Sequence, residues 1–318
     1  MPVNQWIDVH AHFFPPERQE VREARRVSMS EAGWILSEPP RWDPQTTLNY
    51  MDRTGIAMQM LSNIPKTLGA LRSSNEYAAS LVKEHPARFG LLTALPTDSP
   101  DDAIAEINRA SHELHTDGYA VTCHYNGIYL SDARLDPVWK ELDGRHAVVF
   151  AHPNAYAPAA MGRPAALVEV AFETARTVVD MLYAGTFRKF PNITFVLAHC
   201  GGALPALSGR PMILGHESWI ANPNEVTAAE FRAHLRGIYL DTAATCPATL
   251  GPALAMTTPE HLVYGSDCGV PCTTEATMQA NLDALLSYAG LSPGQIEDIG
   301  HNALRLFPCA AERIKNGR

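Results

Sequence analysis

Eight short apolar runs recur along the chain, at Trp6–His12, Ala57–Leu61, Phe89–Ala94, Ala120–His124, Ala147–His152, Ile193–His199, Ile238–Asp241 and Leu262–Ser266. Their length and composition predict β-strands. Between them lie segments with helical apolar spacing or helix-start signals. Asp43-Pro44 pairs a capping residue with proline at the first helical position, which predicts a helix through about Thr54. Further helices are expected over Asn75–His85, Pro100–His115, Leu135–Leu142, Ala165–Tyr183, Pro247–Thr257, Thr274–Ala289 and Ser292–Leu306. The stretch from His199 to Gly237 reads as short helices and turns. Strands alternating with helices predict a (β/α)8 barrel forming one domain over residues 1–318. Residues 15–42, rich in charge and containing Pro39-Pro40, read as a small insertion after the first strand. The alternative is an open doubly wound sheet, but no Gly-x-Gly-x-x-Gly follows an early strand.

Several of these runs end in residues that bind metals or carry protons. His10 and His12 stand two apart at the end of the first strand, so their side chains share one face. His152 ends the fifth strand, His199 ends the sixth and Asp267 follows the eighth. The carboxyl ends of barrel strands are where such folds build their sites. Three imidazoles and one carboxylate suit one divalent ion, zinc foremost, with manganese or iron also possible. His10, His12, His152 and Asp267 are the candidate ligands, leaving His199 as a free imidazole for proton transfer. Each residue has an ordinary alternative, such as a rim histidine or an Asx-turn aspartate. Four strand ends with unrelated explanations are a poorer account than one shared site. His124 also ends an apolar run but reads as a supporting or structural residue. Gly201-Gly202 reads first as a tight turn needing positive φ, and second as backbone N–H groups near an anion.

Composition narrows the partners. A net charge of −9 argues against a general nucleic-acid binder, so an anionic substrate would need a local positive centre. No run approaches the roughly 20 apolar residues of a membrane span, and no secretory signal is visible at the N-terminus. The six cysteines form no C-x-x-C pair, which points to a reduced, cytoplasmic setting rather than a disulfide framework.

With these residues in place, the chain resembles the amidohydrolase superfamily, and within it the branch of amino-carboxymuconate-semialdehyde decarboxylase and related non-oxidative decarboxylases. The resemblance rests on Ile7–His12, Trp42-Asp43-Pro44, Met51-Asp52-x-x-Gly55, His85-Pro86-x-Arg88-Phe89 and Phe150-x-His152-Pro153. It continues through Phe187-x-x-Phe190-Pro191, Ala198–Ala203 with Pro205, Gly209-Arg210 and Gly265-Ser266-Asp267. It implies metal ligation by His10, His12, His152 and Asp267, with His199 as the catalytic histidine. It also implies a homodimer in which Arg210 reaches the substrate carboxylate of the neighbouring subunit. A second family arginine lies a little before Trp-Asp-Pro, where this chain offers only Arg41. That departure speaks against a dicarboxylate substrate.

The bridging lysine of binuclear hydrolases has no counterpart in Ala120–His124 or Ala147–His152, which favours the single-metal decarboxylases. Phe13, Phe14, Trp42 and Tyr125 suggest a largely apolar pocket, with Phe13 a candidate substrate contact. The expected substrate is a small aromatic hydroxy acid. Similarity to fungal 6-methylsalicylate decarboxylases of polyketide metabolism implies conversion of that acid to 3-methylphenol and CO2. Whether Asp267, His199 or an activated water handles the proton stays open. Alternatives are decarboxylation of a muconate semialdehyde or another ortho-hydroxybenzoate, a mononuclear lactone or amide hydrolase, and a non-catalytic binding barrel.

Overall fold

A computed structural model describes residues 4–158 and 161–317, so the ends of the expected 1–318 domain lie outside it. Eight parallel strands follow one another in chain order around a barrel. They are β1 (Trp6–His12), β2 (Ile56–Ser62), β3 (Phe89–Ala94), β4 (Gly118–Thr122), β5 (Val148–His152), β6 (Thr194–Leu197), β7 (Tyr239–Asp241) and β8 (Leu262–Val263). Strands covered on both faces read as continuous apolar runs, which is why the pattern was visible in the sequence. The ring closes where β1 meets the segment after β8. Val9 N–H donates to the Tyr264 carbonyl at 2.9 Å, His12 N–H to Cys268 at 2.7 Å, and Asp267 N–H to His10 at 2.9 Å.

One apolar cluster draws on all eight strands, with Val9, Met58, Leu92, Ala120, Phe150, Val196 and Val263 buried and Tyr239 packed against them. This is the barrel interior. It reaches Phe307, which joins the last two helices, and Ile314 in the final one. A larger cluster joins the outer faces of the strands to the surrounding helices.

The helix Pro44–Thr54 begins as expected, with the Asp43 carboxylate accepting from Thr46 N–H at 2.8 Å, and it ends at Gly55 with φ 80°. The helix expected from Asn75 starts seven residues earlier and spans Leu68–Glu84. Gly69 and two serines mask its first turns, whose inward stripe is Leu71, Ser74, Asn75 and Ala78. The insertion after β1 contains one unanticipated helix, Gln19–Glu31. Met29, Ala32 and Trp34 form a small separate cluster there, packed against Leu36 and Ala166.

His124 does not end a barrel strand. β4 stops at Thr122, and His124 opens a separate two-stranded hairpin with Ile128–Tyr129. Its Nδ1 lies 2.9 Å from Glu173, and its ring stacks on Tyr129. That is the structural role expected of it.

Candidate active site

The strand ends bring His10, His12, His152, His199 and Asp267 to one place. His10 and His12 project together from β1, with their Nε2 atoms 3.0 Å apart. The Asp267 carboxylate lies 3.2 Å from His10 Nε2, 3.4 Å from His12 Nε2 and 3.7 Å from His199 Nε2. Single donor atoms of His10, His152, His199 and Asp267 all fall within 4.8 Å of one another.

Three imidazoles are oriented in the same manner. His10 Nδ1 faces Asp241 at 2.6 Å, His12 Nδ1 faces the Ser62 carbonyl at 3.2 Å, and His152 Nδ1 faces the Pro153 carbonyl at 2.6 Å. Each acceptor receives a hydrogen bond from Nδ1–H, which keeps the proton on Nδ1 and leaves Nε2 with a lone pair directed at the common centre. Facing lone pairs 3.0 Å apart repel unless a cation or a proton lies between them. His152 Nε2 is buried with no hydrogen-bond partner among the described residues. The donor set therefore fits a divalent metal. His199 differs from the other three, because its buried Nδ1 has no partner among the described residues to fix its tautomer.

The electrostatics show the same demand for positive charge. Burial opposes a charged His10, yet the carboxylates of Asp241 and Asp267 outweigh it and raise its pKa to about 10. Burial would raise Asp267, but His10, His12 and His199 hold it well below the ordinary carboxylate value. Burial and the neighbouring imidazoles push His152 far down.

Strained backbone places two of these side chains. His199 and Asp267 adopt φ of 55° and 60°, a region L-residues seldom occupy and one concentrated at functional sites. Gly201 and Gly202 make the turn that follows His199, with φ of 74° and 60°. A Cβ on Gly202 would stand 2.5 Å from the Ala171 carbonyl oxygen. Both glycine N–H groups donate to backbone, to Ala198 at 3.0 Å and His199 at 2.8 Å. The turn reading holds, since neither donor is left for an anion.

Asp241 was not singled out by sequence reasoning. It ends β7, fully buried, and besides His10 it accepts from Cys200 N–H at 3.2 Å and Ala243 N–H at 2.9 Å. The signal was present, a carboxylate ending an apolar run, as with the residues that were chosen. Asp8 was also passed over. It binds Gln59 at 2.9 Å and Ser266 N–H at 2.9 Å, tying β1 to the turn that carries Asp267.

A cavity of about 760 Å³ opens over these groups. Phe13, Phe14, His12, His152, His199 and Asp267 line it. The insertion contributes Glu17, Arg25, Met29 and Trp34, and the loop after β5 contributes Tyr156 and Leu167. Phe13, the candidate substrate contact, is thus on the cavity lining. Arg41 and Arg210 are both exposed and lie outside this lining; the basic residues on the wall are Arg25 and Lys66. Lys66 follows β2 and sits 5.3 Å from the Tyr125 ring centroid, with burial lowering its pKa.

A match to the amidohydrolase family covers residues 7–309. The chain belongs to that family. Among curated relatives, this amidohydrolase is 33% identical over 288 residues to decarboxylase macB of Penicillium terrestre, covering 82% of this chain and 83% of the relative. It is 28% identical over 286 residues to the 6-methylsalicylic acid decarboxylase of Penicillium expansum, covering 82% and 84%. A solved 5-carboxyvanillate decarboxylase from Novosphingobium aromaticivorans, with bound manganese and 3-methoxy-4-hydroxy-5-nitrobenzoic acid, shares the fold. Its TM-score is 0.79 at 19% identity, over 96% of this chain and 97% of the other. The amidohydrolase resemblance and the barrel read from the sequence are both borne out. No helix among the described residues is long and apolar enough to cross a membrane.

Proposed function

We propose that this amidohydrolase is a metal-dependent, non-oxidative decarboxylase of small aromatic hydroxy acids, a carboxy-lyase with 6-methylsalicylate as the leading substrate. One observation carries the reading: three Nδ1-anchored imidazoles and the Asp267 carboxylate converge at the floor of a mainly apolar cavity. Relatives over four-fifths of the chain act as decarboxylases, one of them on 6-methylsalicylic acid.

His10, His12, His152 and Asp267 would hold the ion, zinc by donor type, with manganese favoured by the carboxyvanillate enzyme. When bound, the ion supplies positive charge that orients a carboxylate and an adjacent phenolic oxygen. The protein's own groups then move the proton. His199 or Asp267, 3.7 Å apart, delivers a proton to the ring carbon that bears the carboxylate. The bond from that carbon to the carboxylate breaks, its electron pair restores the aromatic ring, and CO2 leaves. The unanchored Nδ1 of His199 suits it to passing protons rather than to ligation. Phe13 and its apolar neighbours exclude water from the ring.

Arg210 lies on the exposed helix Gly209–Leu214, near exposed Leu207, Ile213 and Trp219. Exposed apolar residues on this segment suit a homodimer in which Arg210 serves the partner's cavity. The test is metal analysis combined with a CO2-release screen over ortho-hydroxybenzoates, including 6-methylsalicylate. Stoichiometric metal and release of CO2 with 3-methylphenol are expected. Absence of CO2 from all members sinks the reading. Arg210→Ala should raise KM and leave substrate-free metal content unchanged.

A further inference from the structure

An anionic acid entering the cavity needs a net positive charge to meet, and the floor does not provide one. The two charges of a divalent ion there would be offset by Asp267 beside it and Asp241 against His10. On the wall, Arg25 is paired with Glu17. Lys66 is the remaining cation among the described residues that line the cavity. Asp98 and Glu173 are near enough to act on Lys66, but neither forms an ion pair with it. Each is engaged elsewhere. Glu173 accepts from Asn154 N–H at 3.0 Å and faces His124 Nδ1 at 2.9 Å, while Asp98 accepts from Asn126 Nδ2 at 2.7 Å.

The backbone fixes where this ammonium stands. Lys66 follows Ser62, whose carbonyl anchors His12, along one short loop. The chain therefore keeps its Cα within about 15 Å of the end of β2. The Pro65 carbonyl accepts from Tyr125 Oη at 2.6 Å, and the Lys66 carbonyl accepts from Asn126 Nδ2 at 3.1 Å. Nζ lies 5.3 Å from the Tyr125 ring centroid. The residue is exposed overall, so its ammonium is open to a ligand at the mouth of the cavity. Partial burial disfavours its charge, a cost that an anion beside it would offset.

We propose that Lys66 selects the anionic acid over the neutral phenol, its ammonium meeting the carboxylate at the cavity mouth. The proposal rests on the decarboxylase reading and adds to it a residue that tells substrate from product. In turnover the acid anion takes up one proton and yields CO2 and an uncharged phenol. The charge that Lys66 attracts is consumed, so the ammonium favours entry of substrate and has no hold on product. Arg41 and Arg210 lie outside the lining, so within one protomer this role falls to Lys66.

The test compares benzoate with uncharged benzamide in the metal-loaded enzyme, by equilibrium dialysis at low ionic strength. Benzoate lacks the ring hydroxyl that the reaction uses. Lys66→Met keeps an apolar stem over Tyr125 and removes the charge. It should lower the preference for benzoate about tenfold, and Lys66→Arg should restore it to within about threefold of the native value. Affinity for 3-methylphenol and metal content should stay within about twofold. On a substrate that releases CO2, KM should rise about tenfold in Lys66→Met with kcat nearly unchanged. Raising ionic strength from about 0.01 M to 0.15 M shortens the Debye length from roughly 30 to 8 Å. Native kcat/KM should then fall at least about threefold more than that of Lys66→Met. A benzoate preference that changes by less than about threefold in Lys66→Met overturns the proposal. So does an equal loss of affinity for 3-methylphenol, which would mark a merely structural role. If no ortho-hydroxybenzoate releases CO2, the decarboxylase reading fails, and the benzoate–benzamide ratio alone decides for Lys66.

Discussion

The floor and the wall of the cavity are built in different ways. On the floor, His10, His12, His152 and Asp267 stand on or beside strands whose backbones are paired, and each Nδ1 of the three histidines has its own acceptor. The wall stands on one helix, Gln19–Glu31, whose N-cap makes no side-chain bond, and on a cluster of three buried residues. Buried polar atoms of Glu17, Arg25 and Trp34 there have no hydrogen-bond partner among the described residues. A barrel end thus supplies the fixed donor set, while an appendage supplies part of the cavity wall.

The contrast breaks if changes on the floor affect substrates unequally. His10→Ala should remove the ion and lower CO2 release about a thousandfold or more on every substrate, checked by metal analysis and gas evolution. Asp241→Asn keeps the ligands but loses the acceptor that orients His10. Metal affinity should fall roughly 10- to 100-fold, measured by competition with a chromogenic chelator. An unchanged affinity would mean that Asp241 serves only the neighbouring backbone. On the wall, Met29→Ala should change global stability by less than about 1 kcal/mol, because a small local unit opens separately from the barrel. Amide exchange over Gln19–Glu31 should quicken while Trp6–His12 stays protected. Equal acceleration in both segments would show that floor and wall form one cooperative unit.

The floor was the legible half. β1 and β3 have the bounds that their apolar runs predict, and the histidines or aspartate at or just after the ends of four runs marked the site. β6 ends two residues before His199 because the left-handed turn at His199–Cys200 breaks pairing, which no hydropathy pattern reports. Asp241 ends an apolar run as the chosen residues do, but its role shows only in its contact with His10, 231 positions away in the chain. The wall was hidden for another reason. The insertion helix buries a narrow patch against Ala166 over a hundred residues away, and its abundant charge reads as solvated loop.

The seam of the barrel has a consequence for synthesis of the chain. The Asp8 carboxylate and the Ser266 N–H that it holds are 258 positions apart. Asp267 bonds to His10 across the same seam. The donor set therefore cannot assemble on a nascent chain until nearly the whole sequence has emerged and its last strand has docked beside the first. Contacts of such separation form late and slowly. A ribosome-bound or C-terminally shortened chain would hold histidines but no complete site, so acquisition of the ion reports that the ring has closed.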